Sequence, residues 1–201
     1  MSNLPQKERT FVIIKPDGVQ RGLIGDIIKR LEYSGLKLIG LKMIVCNEEK
    51  LFTHYNKDDA WYTSKGQKVV DNMTAKGLTP DKAAIEYGKD IVRALVGYMQ
   101  SSPVIAMVWE GNEACAVVRK IVGGTEPTTS DVGTIRGDYT LDSYAMANLE
   151  NRAVRNLIHS SEEPAESTRE IAIWFKEDEM INYTHVNEMI LYGTDFEGIK
   201  A

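Results

Sequence analysis

Apolar residues along the chain follow two spacings, which together predict a protein built from both strands and helices. An apolar, β-branched run over Thr10–Ile14 predicts a buried strand, while apolar residues three and four apart over 23–31 predict an amphipathic helix that ends at Gly35. Two more strands are predicted over 36–45, where apolar residues alternate, and over 103–109, where the run is apolar throughout.

Helical spacing and helix-start signals recur through the rest of the chain. The last predicted helix opens with Pro164, and Ser160 and Glu163 before it fit the Ser-x-x-Glu capping box. A turn is predicted over 15–18, and a long loop rich in Gly and Thr over 123–138. Helices are predicted over 47–55, 66–74, 91–99, 113–122, 144–155 and 164–175. A further helix is predicted to begin at Pro80. The predicted N-caps are Asn47 for the first of these helices and Thr79 for the one that begins at Pro80.

Composition places the chain among ordinary globular proteins. Its 201 residues are 43% hydrophobic and 26% charged, which favours one domain over 1–201, and its longest apolar run is far shorter than the roughly 20 residues of a spanning helix. Cys46 and Cys115 lie among apolar neighbours, so we expect buried free thiols in a cytoplasmic protein. A net charge of -5 argues against general nucleic-acid binding, and the motifs of phosphate loops, dinucleotide folds and zinc sites do not occur.

One segment, 156–163, carries the best candidate for chemistry. His159 lies between an apolar pair and the start of the last helix, and Glu170 follows about three helical turns later, where it can face back toward the imidazole. A packed histidine is nevertheless a more frequent outcome than a catalytic one. Lys15 ends the first strand and Arg136 lies in the long loop, although a solvated lysine and a disordered loop are the plain alternatives.

The order and context of seven residues closely resemble the nucleoside diphosphate kinase family. The likeness runs through the segments 8–35, 102–111, 133–138 and 156–175, and agreement over so many separated segments is more specific than any one motif. The seven residues are Lys15, Arg119, Thr125, Arg136, Asn156, His159 and Glu170.

This resemblance implies a ferredoxin-like βαββαβ fold of the α+β class with an antiparallel sheet. It also implies a nucleoside diphosphate kinase, which moves the γ-phosphate of a nucleoside triphosphate, typically ATP, to a nucleoside diphosphate through a phosphohistidine in a ping-pong reaction. Mg2+ is expected on the nucleotide phosphates, with no metal ligands from the protein. The expected partners are nucleotides and further copies of the chain, in a hexamer or a tetramer, but no membrane and no specific nucleic acid. The open alternative is a nucleotide-binding or regulatory module of the same fold that has lost catalysis.

Individual roles follow by matching residues to the motifs of that family. His159 is the implied nucleophile, Glu170 the partner of its other ring nitrogen, and Ser161 a support for the histidine loop. By the same resemblance, Lys15 would contact phosphate and ribose, and Tyr55 would orient phosphate or flank the histidine. The β and γ phosphates would be bound by Arg119, Thr125 and Arg136. Asn156 would bind the ribose 3'-hydroxyl.

The chain departs from the family at three positions and two connections. Ser160 and Glu162 stand where a small residue and an aspartate are usual, and both roughly keep size or charge. Ile91 stands where a phenylalanine usually stacks on the base. The connections at 57–88 and 143–154 are longer than usual, so we interpret them as an inserted helical hairpin and a short inserted helix before the histidine.

The loss of the stacking phenylalanine leaves two hypotheses for the hairpin over 57–88. In one, the hairpin covers the nucleotide cleft and Trp61, Tyr62 or Tyr87 supplies a stacking face for the base. In the other, which we favour, the hairpin packs elsewhere and Ile91 makes an aliphatic contact with the base.

Overall fold

An antiparallel sheet of four strands forms the centre of the computed structural model, which describes residues 7–150 and 152–192. The strands are β1 (Glu8–Ile14), β2 (Lys37–Ile44), β3 (Val104–Gly111) and β4 (Ile158–Ser160). Their order across the sheet is β2-β3-β1-β4, and every neighbouring pair is antiparallel. The predicted ferredoxin-like α+β architecture is confirmed.

Helices connect the strands and cover the sheet. In the described part of the chain, none of them has the length and apolar character that crossing a membrane requires. The helices are α1 (Pro16–Gln20), α2 (Ile24–Tyr33), α3 (Glu48–His54), α4 (Asp59–Ala75), α5 (Ala84–Gln100), α6 (Ala114–Val122), α7 (Ile135–Tyr139), α8 (Tyr144–Leu149), α9 (Pro164–Trp174) and α10 (Val186–Tyr192), with short 3-10 turns at Pro127–Thr129 and Glu177–Glu179.

Strand β1 is buried on both of its faces. Phe11 and Ile13 belong to one hydrophobic cluster, and Val12 and Ile14 belong to the other, as the alternation of side chains along a strand requires. The first cluster includes buried residues of α3, α5 and α9, and the second includes residues of α2 and α6. Both faces of the sheet are therefore covered, and residues that follow the C-terminal end of β1 lie on a rigid support.

Two predicted connections contain more regular structure than expected. Pro16 begins the helix α1 where a turn was predicted, since the fixed φ of proline suits the first helical position. The predicted loop over 123–138 contains a 3-10 turn and the start of α7, whose N-cap Thr134 accepts a hydrogen bond from the Gly137 N–H. The helix predicted over 144–155 ends at Leu149, and Asn151 lies outside the described residues.

The predicted capping box of the last helix is wrong. Helix α9 does begin at Pro164, but its N-cap is Glu163, which makes no side-chain capping bond. Ser160 lies too early for that role because it still belongs to β4, where it pairs with Val12 of β1. Because Ser160 is paired in the sheet, it does not cap the helix.

Residues 57–88, which were predicted to be an insertion, form much of a helical hairpin whose boundaries differ from the predicted ones. Helix α4 starts at Asp59 because Asp58 caps it, accepting a hydrogen bond from the Trp61 N–H over 2.7 Å. The second helix, α5, begins at Ala84 rather than at Pro80, and it continues without a break through the helix predicted over 91–99.

Two glycines let α4 and α5 approach at backbone distance. A Cβ atom added to Gly66 would lie 1.6 Å from the Ala84 carbonyl oxygen, and one added to Gly88 would lie 2.0 Å from the Tyr62 carbonyl oxygen. Trp61 and Tyr62 pack against the hydrophobic cluster that contains residues of α3 and α5. Two of the three candidate stacking residues therefore have packing partners within the fold, and the choice between the two hypotheses stays a prediction.

Candidate active site

His159 lies on the edge strand β4, opposite Ile13 of β1. Leu157, two residues earlier, has a φ of 65°, in the left-handed region that bulky residues rarely occupy. Contacts from the end of β1 hold this conformation, because the Lys15 N–H donates to the Leu157 carbonyl over 2.7 Å and the Leu157 N–H donates to Asp17 Oδ2 over 3.2 Å. The histidine therefore projects from a backbone that β1 and α1 fix.

Glu170 of α9 occupies one side of the His159 ring. The ring Nε2 lies 2.9 Å from Glu170 Oε1 and 3.1 Å from Oε2, and Ser161 Oγ donates to Oε2 over 2.6 Å. Burial opposes ionisation of this carboxyl group, but the charge and hydrogen bond of His159 outweigh it and lower the pKa of Glu170. An ionised Glu170 can only accept, so we assign the proton to Nε2 and the free lone pair to Nδ1.

His54, at the end of α3, packs edge-on against His159. The two ring centroids lie 4.8 Å apart at an interplanar angle of 83°. His54 Nδ1 accepts a hydrogen bond from Trp174 Nε1 over 3.2 Å, which places the His54 proton on Nε2. Burial, and then the charge of His159, lower the pKa of His54 well below its usual range, so this ring is neutral. The sequence analysis missed His54 because nothing local distinguishes it from a core histidine.

Tyr55 follows His54 as the C-cap of α3. Its hydroxyl is buried and has no hydrogen-bond partner among the described residues. Burial, assisted by the negative charge of Glu170, raises the pKa of Tyr55, so its hydroxyl keeps its proton. A buried donor without an acceptor costs about 1 to 3 kcal/mol, which a ligand oxygen or a water molecule would offset.

Lys15, Asn156 and Thr125 form a chain of hydrogen bonds beside the histidine strand. Lys15 Nζ donates to Asn156 Oδ1 over 2.7 Å, and Asn156 Nδ2 donates to the Thr125 carbonyl over 2.8 Å. Lys15 is only 6% exposed, and its burial, together with the charge of Arg136, lowers its pKa to about 7. This ammonium lacks a carboxylate hydrogen-bond partner in the described chain and would gain from a nearby anion.

Arg136 is buried and binds mainly to backbone. Its Nε donates to the Asn156 carbonyl over 3.2 Å, and its Nη2 donates to the Ile158 carbonyl over 2.7 Å. Its Nη1 donates to the carbonyls of Gly123 and Gly124 over 3.1 and 3.0 Å. Four of the five N–H donors of a guanidinium are thus engaged, which leaves about one for a phosphate. Arg136 ties the long loop to the histidine strand.

Arg119, near the end of α6, is held more loosely. Its side chain is 49% exposed, and its Nη1 donates to the Glu162 carbonyl over 3.4 Å, with Glu162 Oε1 at 3.9 Å. Both interactions are long, so the guanidinium is available to an anion beside His159. Arg119 therefore differs from Arg136, which is part of the fold.

The described residues do not offer a magnesium cage at this site. The one group of three suitably close ligands among them is His54, His159 and Glu170, whose ligand atoms lie within 4.8 Å of one another. Two of these three ligands are nitrogens, whereas Mg2+ prefers oxygen ligands and retains waters. The nearby cations suit phosphate groups instead.

Seven of the ten predicted site residues fall into two hydrogen-bonded groups joined by strand β4, and Tyr55 and Arg119 lie outside both groups. Ser161 and Glu170 surround His159. Thr125, in the second group, is bound through its main-chain carbonyl only. Ile91 is half-buried on α5 and belongs to neither group. The second group consists of Lys15, Thr125, Arg136 and Asn156.

Comparison with known proteins gives one consistent result. The family model "Nucleoside diphosphate kinase" matches residues 8–79 and 83–180. A nucleoside diphosphate kinase of Pyrobaculum aerophilum is 44% identical over 179 residues, which is 87% of this chain and 98% of that protein. Another, from Carboxydothermus hydrogenoformans, is 37% identical over 92% of this chain and 99% of that protein. A solved structure of the Borrelia burgdorferi enzyme, a transition state mimic with bound vanadate and ADP, has a TM-score of 0.77 at 35% identity and covers 96% of this chain and 99% of that one.

Proposed function

The chain belongs to the nucleoside diphosphate kinase family, and we propose that it transfers phosphate between nucleotides through the Nδ1 atom of His159. The observation that carries this proposal is the pairing of His159 Nε2 with Glu170. With the Nε2 proton directed at Glu170, the Nδ1 lone pair is the one that a neutral imidazole can use as a nucleophile.

The reaction divides into two balanced transfers. In the first, the Nδ1 lone pair attacks the γ-phosphorus, the bond from that phosphorus to the β–γ bridging oxygen breaks, and its electron pair leaves on the nucleoside diphosphate. In the second, a terminal phosphate oxygen of another nucleoside diphosphate attacks the phosphorus, and the electron pair of the P–N bond returns to Nδ1. Between the two steps, the Nε2–H remains hydrogen-bonded to Glu170, which stabilises the cationic ring.

Fixed positive groups neutralise the transferring phosphate in this proposal. Arg119 offers a whole guanidinium, Arg136 offers its remaining N–H, and Lys15 offers an ammonium. Tyr55 would donate its buried hydroxyl to a phosphate oxygen. Phosphoryl transfer depends on positioning and charge stabilisation more than on covalent assistance, so this set of groups suits it.

The nucleoside would lie beside the Lys15–Asn156 pair and α5. Asn156 would bind the ribose 3'-hydroxyl, and the side chain of Thr125, an exposed residue, would add a contact to phosphate. Ile91 would give the base an aliphatic contact. An aliphatic contact makes few demands on the identity of the base, so we expect broad base tolerance.

Mg2+ would be carried by the nucleotide phosphates. Support comes from the ligand set around His159, where the described residues provide cations and nitrogen ligands rather than a group of carboxylates. When bound there, the ion would add positive charge and set the geometry of the phosphate oxygens.

A single domain over 1–201 that assembles as a hexamer or tetramer completes the proposal. Val132, in the long loop, is 95% exposed, and the edge strand β2 exposes Leu41 and Met43. Exposed apolar side chains at a sheet edge and a loop tip are typical of surfaces that pack in a symmetric assembly. Cys46 and Cys115 are buried free thiols, which supports a reducing, cytoplasmic location.

Incubation with γ-labelled ATP and Mg2+ tests the central step. We expect acid-labile, alkali-stable label on His159, and its transfer to an added nucleoside diphosphate. The variant His159→Ala should bind nucleotide and take up no label. Absence of label from the parent protein over a range of pH and Mg2+ concentrations would favour the inactive binding module instead.

A further inference from the structure

Glu166, in the first turn of α9, joins two segments that are distant in sequence. Its Oε2 accepts a hydrogen bond from the Glu162 N–H over 3.3 Å, and its Oε1 accepts one from Lys57 Nζ over 3.1 Å. Glu162 belongs to the loop that follows His159, whereas Lys57 lies just before α4 at the start of the inserted hairpin. One carboxylate therefore connects the histidine loop, residues 160–163, to the hairpin.

The histidine loop has firm support at its first half and less at its second. Ser161 is held by its N–H, which donates to the Phe11 carbonyl over 3.1 Å, and by its hydroxyl, which donates to Glu170 Oε2 over 2.6 Å. Glu163 makes no side-chain capping bond, and its carbonyl accepts the Ser167 N–H of α9 over 2.9 Å. The position of the Glu162 backbone between them depends on its N–H contact with Glu166.

The Glu162 backbone is also the contact of Arg119. Arg119 Nη1 donates to the Glu162 carbonyl, so the two ends of one residue are bound by Glu166 and by the phosphate-binding arginine. A shift of that backbone would move the resting position of the guanidinium relative to His159. The remaining contact of Arg119 with Glu162, to Oε1, is 3.9 Å long and exposed, and therefore weak.

Glu166 is suited to this role because it is charged and partly shielded. Its side chain is 17% exposed and that of Lys57 is 32% exposed. Burial opposes ionisation, but the hydrogen bond and charge of Lys57 outweigh it and lower the pKa of Glu166, and the charge of His159 contributes in the same direction. A carboxylate in this state is a strong acceptor for a backbone N–H.

We propose that Glu166 is a positioning residue for phosphate binding, which fixes the Glu162 backbone and through it Arg119, while the ion pair with Lys57 links the same side chain to the hairpin. The proposal rests on the phosphate-binding role of Arg119 in the proposed function.

Three variants separate the two hydrogen bonds of Glu166, whose Oε1 also lies 3.8 Å from Arg169 Nη2 of the same helix. Glu166→Gln keeps an oxygen that accepts the Glu162 N–H and loses the charge that pairs with Lys57. The double variant Lys57→Glu with Glu166→Lys keeps opposite charges but places no acceptor at 166. Glu166→Ala removes both contacts. The matched control is Lys82→Ala, which removes an ion pair of 2.9 Å with Asp90 on the same hairpin.

We expect Glu166→Ala and the charge-swapped variant to raise KM for ATP about five- to tenfold, the size of one ordinary hydrogen bond, with kcat changed less than about twofold. Glu166→Gln and Lys82→Ala should stay within about twofold of the parent KM. A parent-like KM in Glu166→Ala would overturn the proposal. Recovery of the parent KM by the charge swap would also overturn it, because the ion pair alone would then account for the effect.

Two readouts do not depend on transfer through His159. In the His159→Ala background, Glu166→Ala should lower the affinity for ADP. When Arg119→Ala is also present, Glu166→Ala should lower that affinity much less. The two effects should not add, because Glu166 acts through Arg119. Amide exchange at Glu162 should be faster in Glu166→Ala. Additive losses of ADP affinity, or unchanged exchange, contradict the positioning role even if His159 proves not to be the nucleophile.

Discussion

Lys15 and Asn156 are joined by a buried hydrogen bond of 2.7 Å between Nζ and Oδ1, which connects the end of the first strand to the segment before His159. The lysine has an amide oxygen as its hydrogen-bond acceptor, and the charge of Arg136 acts against its own. Its pKa of about 7 therefore describes the protein without an anion. A bound phosphate should raise that pKa again.

We therefore expect nucleotide binding to take up protons above pH 7. At pH 8, a lysine with a pKa of about 7 is about nine-tenths neutral, and the phosphates of ATP should return it to the charged form. Calorimetry in two buffers of different ionisation enthalpy should show close to one proton taken up per site at pH 8 and almost none at pH 5.5. Lys15→Met should abolish the difference, and equal enthalpies in both buffers for the parent would contradict it.

The same shift predicts a pH dependence of folding stability. Lys15 has a pKa of about 7 in the folded chain against 10.5 for an ordinary lysine, so the unfolded chain binds more protons between these values. The contribution of this residue to the free energy of unfolding should therefore rise with pH from about 7 to 10.5. Denaturant unfolding of the parent and of Lys15→Met measures it, and the difference between the two should change in that window.

Glu170→Gln should slow phosphorylation of His159 while leaving nucleotide binding intact. The amide keeps the shape of the side chain but carries no negative charge to stabilise the cationic ring. A charge-assisted hydrogen bond contributes about 1.5 to 3 kcal/mol, so single-turnover labelling should fall about ten- to a hundredfold. Thr168→Ala, on the exposed side of the same helix, serves as the control. Parent-like labelling in Glu170→Gln would remove Glu170 from the mechanism.

A comparison of Arg119→Ala with Arg136→Ala should separate the effect of an arginine on nucleotide binding from its effect on the stability of the fold. Both should weaken ADP binding about ten- to a hundredfold through a lost charge-assisted contact. Arg136→Ala should also lower the free energy of unfolding by about 2 to 4 kcal/mol, since it leaves buried carbonyls unpaired. The exposed Arg119 should leave that free energy within about 0.5 kcal/mol of the parent. Equal stability of the two variants would show that the carbonyl contacts of Arg136 contribute little.

Gly66→Ala should destabilise the hairpin, because its Cβ would lie 1.6 Å from the Ala84 carbonyl oxygen and the helices would have to separate. Overpacking of this kind costs about 1 to 3 kcal/mol, or more where backbone must move. Gly97→Ala on α5 is the control, because a Cβ there meets nothing within 4 Å and should stabilise the helix by about 0.5 to 1 kcal/mol. Thermal unfolding of both variants checks the opposite signs.

Two helix-start signals in the sequence did not hold in the structure. The signals at Thr79 and Pro80 predicted a helix start, yet α5 begins at Ala84, where Gly88 can pack against the Tyr62 backbone. Ser160 and Glu163 fit a capping box, yet Ser160 is held in the sheet by Val12. In both places a contact with a distant segment stabilises the chain more than the local signal does.

The apolar spacing of the sequence located three of the four strands, its resemblance to one family implied the antiparallel ferredoxin-like architecture, and it identified His159 and Glu170 as a pair. These features are encoded over one element or a few turns of helix. Only the tertiary structure decided that Arg136 binds four carbonyls, that His54 packs on His159, and that Asp17 holds Leu157. Each of these contacts joins segments that are separate in sequence, and the spacing of residues along a chain carries no direct record of which distant groups burial will bring together.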